Sequence, residues 1–203
     1  MSHQTTWEIG LPVPEKYIGY ADKLFYYVSF RTGYYVHSLG ITPNMITFFG
    51  LCCNIITAWS ILHDNSYYII AIIFGTLADT MDGFNARRFN QVSKYGALFD
   101  HGADWISGIT IIIASVYRWC KYVHFYILFS FILYLEVLNL RYSGFVQQYQ
   151  GKSDVYLSSI FQHTAKDNML ESKLVKYKEY SSCMISVVLI ASFAFLQNYN
   201  TSM

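Results

Sequence analysis

Four apolar segments follow one another with little between them, at residues 44–62, 67–86, 95–117 and 122–140. Each is close to the ~20 residues that a helix needs to cross the hydrocarbon of a bilayer. Short polar turns at 63–66, 87–94 and 118–121 join them, and a fifth segment at 183–196 is shorter but strongly apolar. The expected fold class is therefore all-α, a polytopic transmembrane helical bundle with five clear spans. Composition agrees: 54% of residues are hydrophobic and 13% charged, about half the charged share of a soluble domain.

The flanking segments read differently. Residues 14–38 carry many aromatics, among them Tyr17, Tyr20, Phe25, Tyr26, Tyr27 and Phe30, broken by Glu15, Lys16, Asp22, Lys23 and Arg31. Those charges are too frequent for a span and suit an N-terminal interfacial amphipathic helix. Residues 141–180 are too polar for lipid and are expected to extend the fourth helix and then run over the surface as a loop and short helices. This divides the chain into a tail with interfacial helix at 1–40 and a transmembrane domain at 41–198. The polar residues 1–10 lack an apolar h-region, so no cleavable signal peptide is expected.

Charge placement tests the topology. With five spans, one side receives twelve of the fourteen Lys and Arg residues, leaving Arg118 and Lys121 opposite. By the positive-inside rule the basic side is cytosolic. A net charge of +1 gives no field that would favour nucleic acid, so no nucleic-acid partner is expected. Cys52, Cys53, Cys120 and Cys183 form no C-x2-C pair and read as buried free thiols.

Against this apolar background the carboxylates stand out. Asp79 and Asp82 are spaced i, i+3 and Asp100 and Asp104 i, i+4, so each pair shares one face of its own helix. Ionised groups in membrane segments are costly and mark functional sites by default. Two helices joined by the polar turn would gather four negative charges, which cannot stay ionised together without cations. Small residues Gly75, Ala78, Gly96, Ala97, Gly102, Ala103 and Gly108 recur on the same two spans and let backbones approach closely.

The fixed residues of this stretch, Asp79, Asp82, Gly83, Ala86, Arg87, Gly96, Asp100 and Asp104, satisfy D-x2-D-G-x2-A-R-x8-G-x3-D-x3-D, the signature of the CDP-alcohol phosphatidyltransferases. The chain resembles that family over residues 41–150, and Thr42-Pro43-Asn44-Met45-Ile46-Thr47 is similar to the segment that opens the family's first membrane helix. The family generally has six spans, against five here. The resemblance implies Mg2+ or Mn2+ held by Asp79, Asp82, Asp100 and Asp104, with Asp104 also the base that deprotonates the acceptor hydroxyl. It places the CDP moiety against Gly83 and Arg87, with a hydrogen bond from Ser93 and support from Ala86 and Gly96.

Physical chemistry supports those roles. Carboxylates suit hard cations, which neutralise charge on a pyrophosphate being broken; Gly83 admits a close backbone approach; and Arg87 offers a planar fork for phosphate oxygens. The expected reaction is transfer of a phosphatidyl group from CDP-diacylglycerol to a polar alcohol, with loss of CMP and with the site facing the cytosol. The stretch 86–97 resembles phosphatidylinositol synthases, and that resemblance favours an inositol-type acceptor. Residues 98–104 and the opening at Thr42 resemble choline and ethanolamine phosphotransferases instead, and Trp105 stands where inositol-type enzymes often carry a basic residue. Transfer from a CDP-aminoalcohol to diacylglycerol is the second reading. A non-catalytic membrane scaffold or cation-binding protein is the third. Membrane lipids are expected partners, and a homodimer is left open. Glu136 and Asn139 are candidates to line the acceptor pocket, or Glu136 to pair with Arg141. His101 projects from a different face than its aspartate neighbours.

Overall fold

The computed structural model describes residues 6–149 and 167–201, and the regular structure among them is helical. In chain order the helices are α1 (Thr6–Gly10), α2 (Tyr20–Ser38), α3 (Pro43–Leu62), α4 (Tyr67–Arg88), α5 (Lys94–Trp119), α6 (Val123–Tyr149), α7 (Asp167–Tyr177) and α8 (Ser182–Thr201), with single 3-10 turns at Glu15–Tyr17 and Lys178–Tyr180. The fourth expected segment does extend past residue 141, to Tyr149, and α7 falls in the polar stretch that follows. The remainder of that expected surface stretch, 150–166, lies outside the described residues.

Local chemistry sets the helix ends. Thr42 caps α3 by accepting the N–H of Met45, with Pro43 at the first helical position, where its missing N–H and fixed φ cost nothing. Ser93 caps α5 by accepting the N–H of Gly96 at 2.9 Å. Helices α2, α3 and α4 each close through a residue of positive φ, respectively Gly40 at 75°, Asp64 at 53° and Asn90 at 55°. The next N–H then reaches back to a carbonyl of the last turn, Ile41 to Val36, Asn65 to Ser60 and Gln91 to Ala86. This is the Schellman closure, for which Gly, Asn and Asp are the residues that tolerate the left-handed conformation.

Helix α3 is the shared wall of the bundle. Against α4 it runs antiparallel in a register fixed by three contacts: the Thr47 hydroxyl donates to Asp82, Gly50 faces Ala78, and Asn54 presses on Gly75. A Cβ on Gly75 would stand 2.6 Å from Asn54 Oδ1, and one on Gly50 3.1 Å from the Ala78 Cβ, so both glycines are needed for the close approach. Against α5 it runs parallel. Asn44 lies beside Gly96 at one end, Asn54 Nδ2 donates to Ser107 Oγ at 3.1 Å midway, and Arg118 Nε donates to Asp64 Oδ1 at 2.8 Å at the other end. Helices α4 and α5 pack on α3 and touch each other only marginally. The expectation that the small residues would bring α4 and α5 into direct contact therefore fails. Asn54 and Thr47 spend the available packing on α3.

Four of these helices are long and apolar enough to cross a membrane: α3, α4, α6 and the α7–α8 region, the last over Leu170–Tyr199. The 26-residue α5 falls outside that group because Asp100 and Asp104 lower its hydropathy. Its parallel contacts with α3 nevertheless extend from Asn44 to Asp64, so it covers the same depth as its neighbour. Beyond the turn at Asp64, a core of Ala58, Ile61, Tyr68, Ile72, Trp119 and Phe193 joins α3, α4, α5 and α8, and Gln197 Nε2 donates to the Asp64 carbonyl.

At the opposite end, α1, the segment after it, α2 and α7 cover the end of α4 through Leu11, Val13, Tyr17, Ile18, Phe84 and Leu174. Helix α2 turns Asp22, Ser29 and Gly33 inward while Tyr20, Leu24, Tyr27, Tyr34 and Tyr35 are exposed. An aromatic face turned outward beside membrane helices is what an interfacial helix presents to headgroups. Burial pushes the Asp22 carboxyl up, and the N–H of Cys183, in the first turn of α8, donates to it. All four cysteines are free; Cys53 and Cys183 are buried as expected, whereas Cys52 is half-buried and Cys120 is exposed at the end of α5.

Asn54 holds both sides of the wall, so Asn54→Leu is expected to lower the thermal stability of the detergent-solubilised protein by ~1–2 kcal/mol, the scale of an interhelical hydrogen bond in lipid. Differential scanning fluorimetry reads this directly, and an unchanged melt would contradict the register described above.

Candidate active site

The end of α4 and the first half of α5 face a gap that α3 backs. Across it one oxygen each from Asp79, Asp100 and Asp104 lie within 4.8 Å of one another. Asp79 comes from α4 and the other two from α5, one turn apart. Asp79 and Asp104 are exposed into the gap and Asp100 is half-buried. Among the described residues α4 and α5 make little direct contact with each other.

Asp82 takes a different position. It is 5% exposed, accepts the Thr47 hydroxyl with one oxygen and its neighbour's N–H, that of Gly83, with the other. It stands outside the group of three, turned to α3, while still interacting electrostatically with Asp100 and Asp79. Thr47 is thus a site residue that the sequence reading used only as part of a helix opening. A signal for it exists: Thr47 and Asn54 are seven apart in an otherwise apolar run, which puts both on one helix face.

Gly83 and Arg87 continue the site along α4. The Arg87 guanidinium folds back over the preceding turn so that a Cβ on Gly83 would stand 3.2 Å from one Nη nitrogen. Its Nε donates to the Gly10 carbonyl at 2.8 Å. Ala86 is half-buried and its carbonyl closes the end of α4. Gly96 has no room for a side chain, since a Cβ would lie 2.9 Å from Ser93 Oγ and 3.0 Å from Asn44 Oδ1. Ser93 is exposed and its hydroxyl is committed to the N–H of Gly96 as the cap of α5.

Other candidates fall into place around these. His101 Nδ1 lies 3.9 Å from Asp100 Oδ2 and its side chain is half exposed. Glu136 is half-buried on α6 and accepts from Asn139 Nδ2 at 3.4 Å, so its polar partner is on its own helix. Arg88, next to Arg87, turns to α2 instead: its Nη1 donates to the Phe30 carbonyl at 2.9 Å and the guanidinium covers the Phe30 ring.

The donor set fits a hard divalent cation. Three carboxylate oxygens within 4.8 Å are near the ~4 Å that separates opposite ligands around Mg2+ or Mn2+, and both ions prefer oxygen. Asp79, Asp100 and Asp104 are the residues that could hold it, with Asp82 one turn further along α4. Bringing such charges together without a cation is unfavourable, and neither a lipid-facing nor a packing role explains three of them on two helices.

A model of the CDP-alcohol phosphatidyltransferase family matches residues 40–196. Among similar proteins, an archaetidylinositol phosphate synthase of Pyrococcus horikoshii is 31% identical over 94 residues, 44% of this chain and 50% of that protein. CDP-diacylglycerol–inositol 3-phosphatidyltransferase 1 of Arabidopsis thaliana is 30% identical over 78 residues, 37% of this chain and 34% of that protein. Cholinephosphotransferase 1 of Gallus gallus is 36% identical over 87 residues, 37% of this chain and 26% of that protein. The matched stretches thus span half or less of the length of these relatives.

The Thr47 hydroxyl is the donor that satisfies a buried carboxylate oxygen, so Thr47→Val should destabilise the protein by ~1–3 kcal/mol, the cost of an orphaned buried acceptor. Thr47→Ser should recover most of the loss in a thermal melt, and a Ser variant no more stable than the Val variant would contradict the bond.

Proposed function

Because the chain belongs to the CDP-alcohol phosphatidyltransferase family, we propose that it transfers a phosphatidyl group from CDP-diacylglycerol to a polar alcohol, with an inositol-type acceptor favoured, and releases CMP. The observation that carries this reading is the meeting of Asp79, Asp100 and Asp104 within 4.8 Å, with Arg87 over Gly83 on the same helix. Residues 41–198 form the transferase domain in this proposal, and the basic, cytosolic side holds the opening of the site.

The reaction joins an acceptor oxygen to the phosphorus that carries the lipid and breaks that phosphorus's bond to the CMP oxygen. The acceptor proton goes to the Asp104 carboxylate, which is exposed in the gap, and from there to solvent. Position makes Asp104 effective, since a base must lie within hydrogen-bond reach of the proton it takes. Arg87 donates to pyrophosphate oxygens in a fork that a lysine could not supply, and Gly83 lets those oxygens come against the backbone. Ser93 and Gly96 hold the start of α5, and Ala86 the end of α4, on either side of the nucleotide. A Mg2+ or Mn2+ ion on Asp79, Asp82, Asp100 and Asp104 would neutralise phosphoryl charge and ease departure of CMP.

The inositol-type acceptor is supported by the segment 86–97 and by relatives named for inositol transfer at 31% and 30% identity. A specific observation favours a second reading, transfer from CDP-choline or CDP-ethanolamine to diacylglycerol: a cholinephosphotransferase is similar at 36% identity.

The deciding assay follows CMP release by the purified protein with Mg2+ or Mn2+. One set of mixtures contains CDP-diacylglycerol with inositol, serine or glycerol phosphate, the other CDP-choline or CDP-ethanolamine with diacylglycerol. Turnover with inositol is expected, turnover in the second set alone would move the assignment to the aminoalcohol reading, and silence throughout would contradict both. Asp104→Asn should lower turnover by ~10^2–10^4-fold, the range for loss of a general base, while retaining CDP affinity. Full activity in that variant would remove Asp104 from the base's role.

A further inference from the structure

Two adjacent arginines end α4, and they are held in opposite ways. Arg88 is taken away from the carboxylates by the Phe30 carbonyl and ring of α2. Among the described residues Arg87 is hydrogen-bonded through Nε, to the Gly10 carbonyl at 2.8 Å, and its Nη edge lies over Gly83, where it interacts electrostatically with Asp100. A hydrogen bond at Nε leaves the four Nη hydrogens for another partner and restrains the plane of the guanidinium.

The segment that brings Gly10 to this point is built for close contact. Gly10 is buried, and a Cβ there would stand 2.4 Å from the ring of Phe84, which is itself fully buried. Only a residue without a side chain lets the backbone lie this near α4 and reach Arg87. On either side the chain is anchored by Trp7, whose ring lies 5.4 Å from Phe30 and 6.0 Å from Phe84, and by buried Leu11 and Val13.

We infer that residues 7–13 act as a strap whose Gly10 carbonyl is a positioning group for Arg87, presenting its Nη edge to the pyrophosphate of the incoming CDP substrate. The inference rests on the CDP-alcohol reading of the site and adds to it a role for the N-terminal segment, which lies outside the motif and outside residues 40–196. An arginine loses rotamer freedom when it is ordered. Ordering it before the nucleotide arrives removes that cost from binding. The strap should therefore act on nucleotide affinity and leave metal binding alone, because among the described residues its one bond to the site is to Arg87 and not to a carboxylate of the cluster.

The test uses the full chain in detergent and two readouts, CDP affinity with Mg2+ present by equilibrium titration and Mn2+ affinity without nucleotide by electron paramagnetic resonance. Gly10→Val, which drives a side chain into Phe84, should weaken CDP by about tenfold, the scale of one charge-assisted hydrogen bond, with Mn2+ affinity unchanged. Trp7→Ala loosens the same strap without adding bulk and should act in the same direction, which keeps the test open if the Val variant fails to fold. In an Arg87→Lys background either change should cost less than about twofold, because groups acting through one another are non-additive. Equal losses with and without Arg87, or a parallel loss of Mn2+, would overturn the strap's positioning role. Wild-type protein that binds Mn2+ but no CDP would overturn the functional reading and the inference with it.

Discussion

Mutual repulsion among carboxylates in a low-dielectric region is the force the rest of this structure has to contain. Asp79, Asp100 and Asp104 are held within 4.8 Å by two helices that barely touch. Their spacing is therefore set indirectly, through the helix behind them. Thr47 fixes α4 by bonding Asp82, and Asn54 fixes α5 by bonding Ser107 while lodging against Gly75. Without a hydrophobic driving force between helices in lipid, such polar bonds and close glycine contacts are what holds a register. The open gap in front of α3 follows from the same arrangement and leaves the acidic oxygens accessible to an ion and a substrate.

The two ends of the bundle are finished differently. At the turn beyond Leu62, Asp64 takes Arg118 from α5 and its carbonyl takes Gln197 from α8, tying three helix ends together. At the motif end the covering is aromatic and comes from the N-terminal segment: Trp7, Phe30 and Tyr26 meet around Phe84. Helix α2 puts Asp22, Ser29 and Gly33 against the bundle beside Tyr26 and Phe30, and turns Tyr20, Tyr27, Tyr34 and Tyr35 outward. Those four rings are left for the lipid headgroup region, while Asp22 is spent on the start of α8.

Much of this was legible in the letters. Apolar runs of bilayer length marked the helices, and the polar turns between them placed the ends of α3, α4 and α5 within two residues. The i, i+3 and i, i+4 spacings put each carboxylate pair on one face, and Gly83 and Arg87 at i, i+4 do lie together. What could not be read was which helix neighbours which. The small residues of α4 and α5 signal close approach without naming the partner, and α3 took both. For the same reason Asp82 looked equivalent to the other three aspartates until Thr47, thirty-five residues away, claimed it. Gly10 shares this lesson, since a carbonyl used as a clamp is a backbone matter that side-chain patterns do not display.

The central claim is that carboxylates of α4 and α5 share one cation across the gap, and metal binding by single variants measures it most directly. Mn2+ titrations of the wild type, Asp79→Asn on α4 and Asp100→Asn on α5, followed by electron paramagnetic resonance, should show tight binding in the first and at least about a tenfold loss in each of the others, as expected when a charged ligand is removed. Mn2+ affinity that depends on the aspartates of only one of the two helices would contradict the shared site.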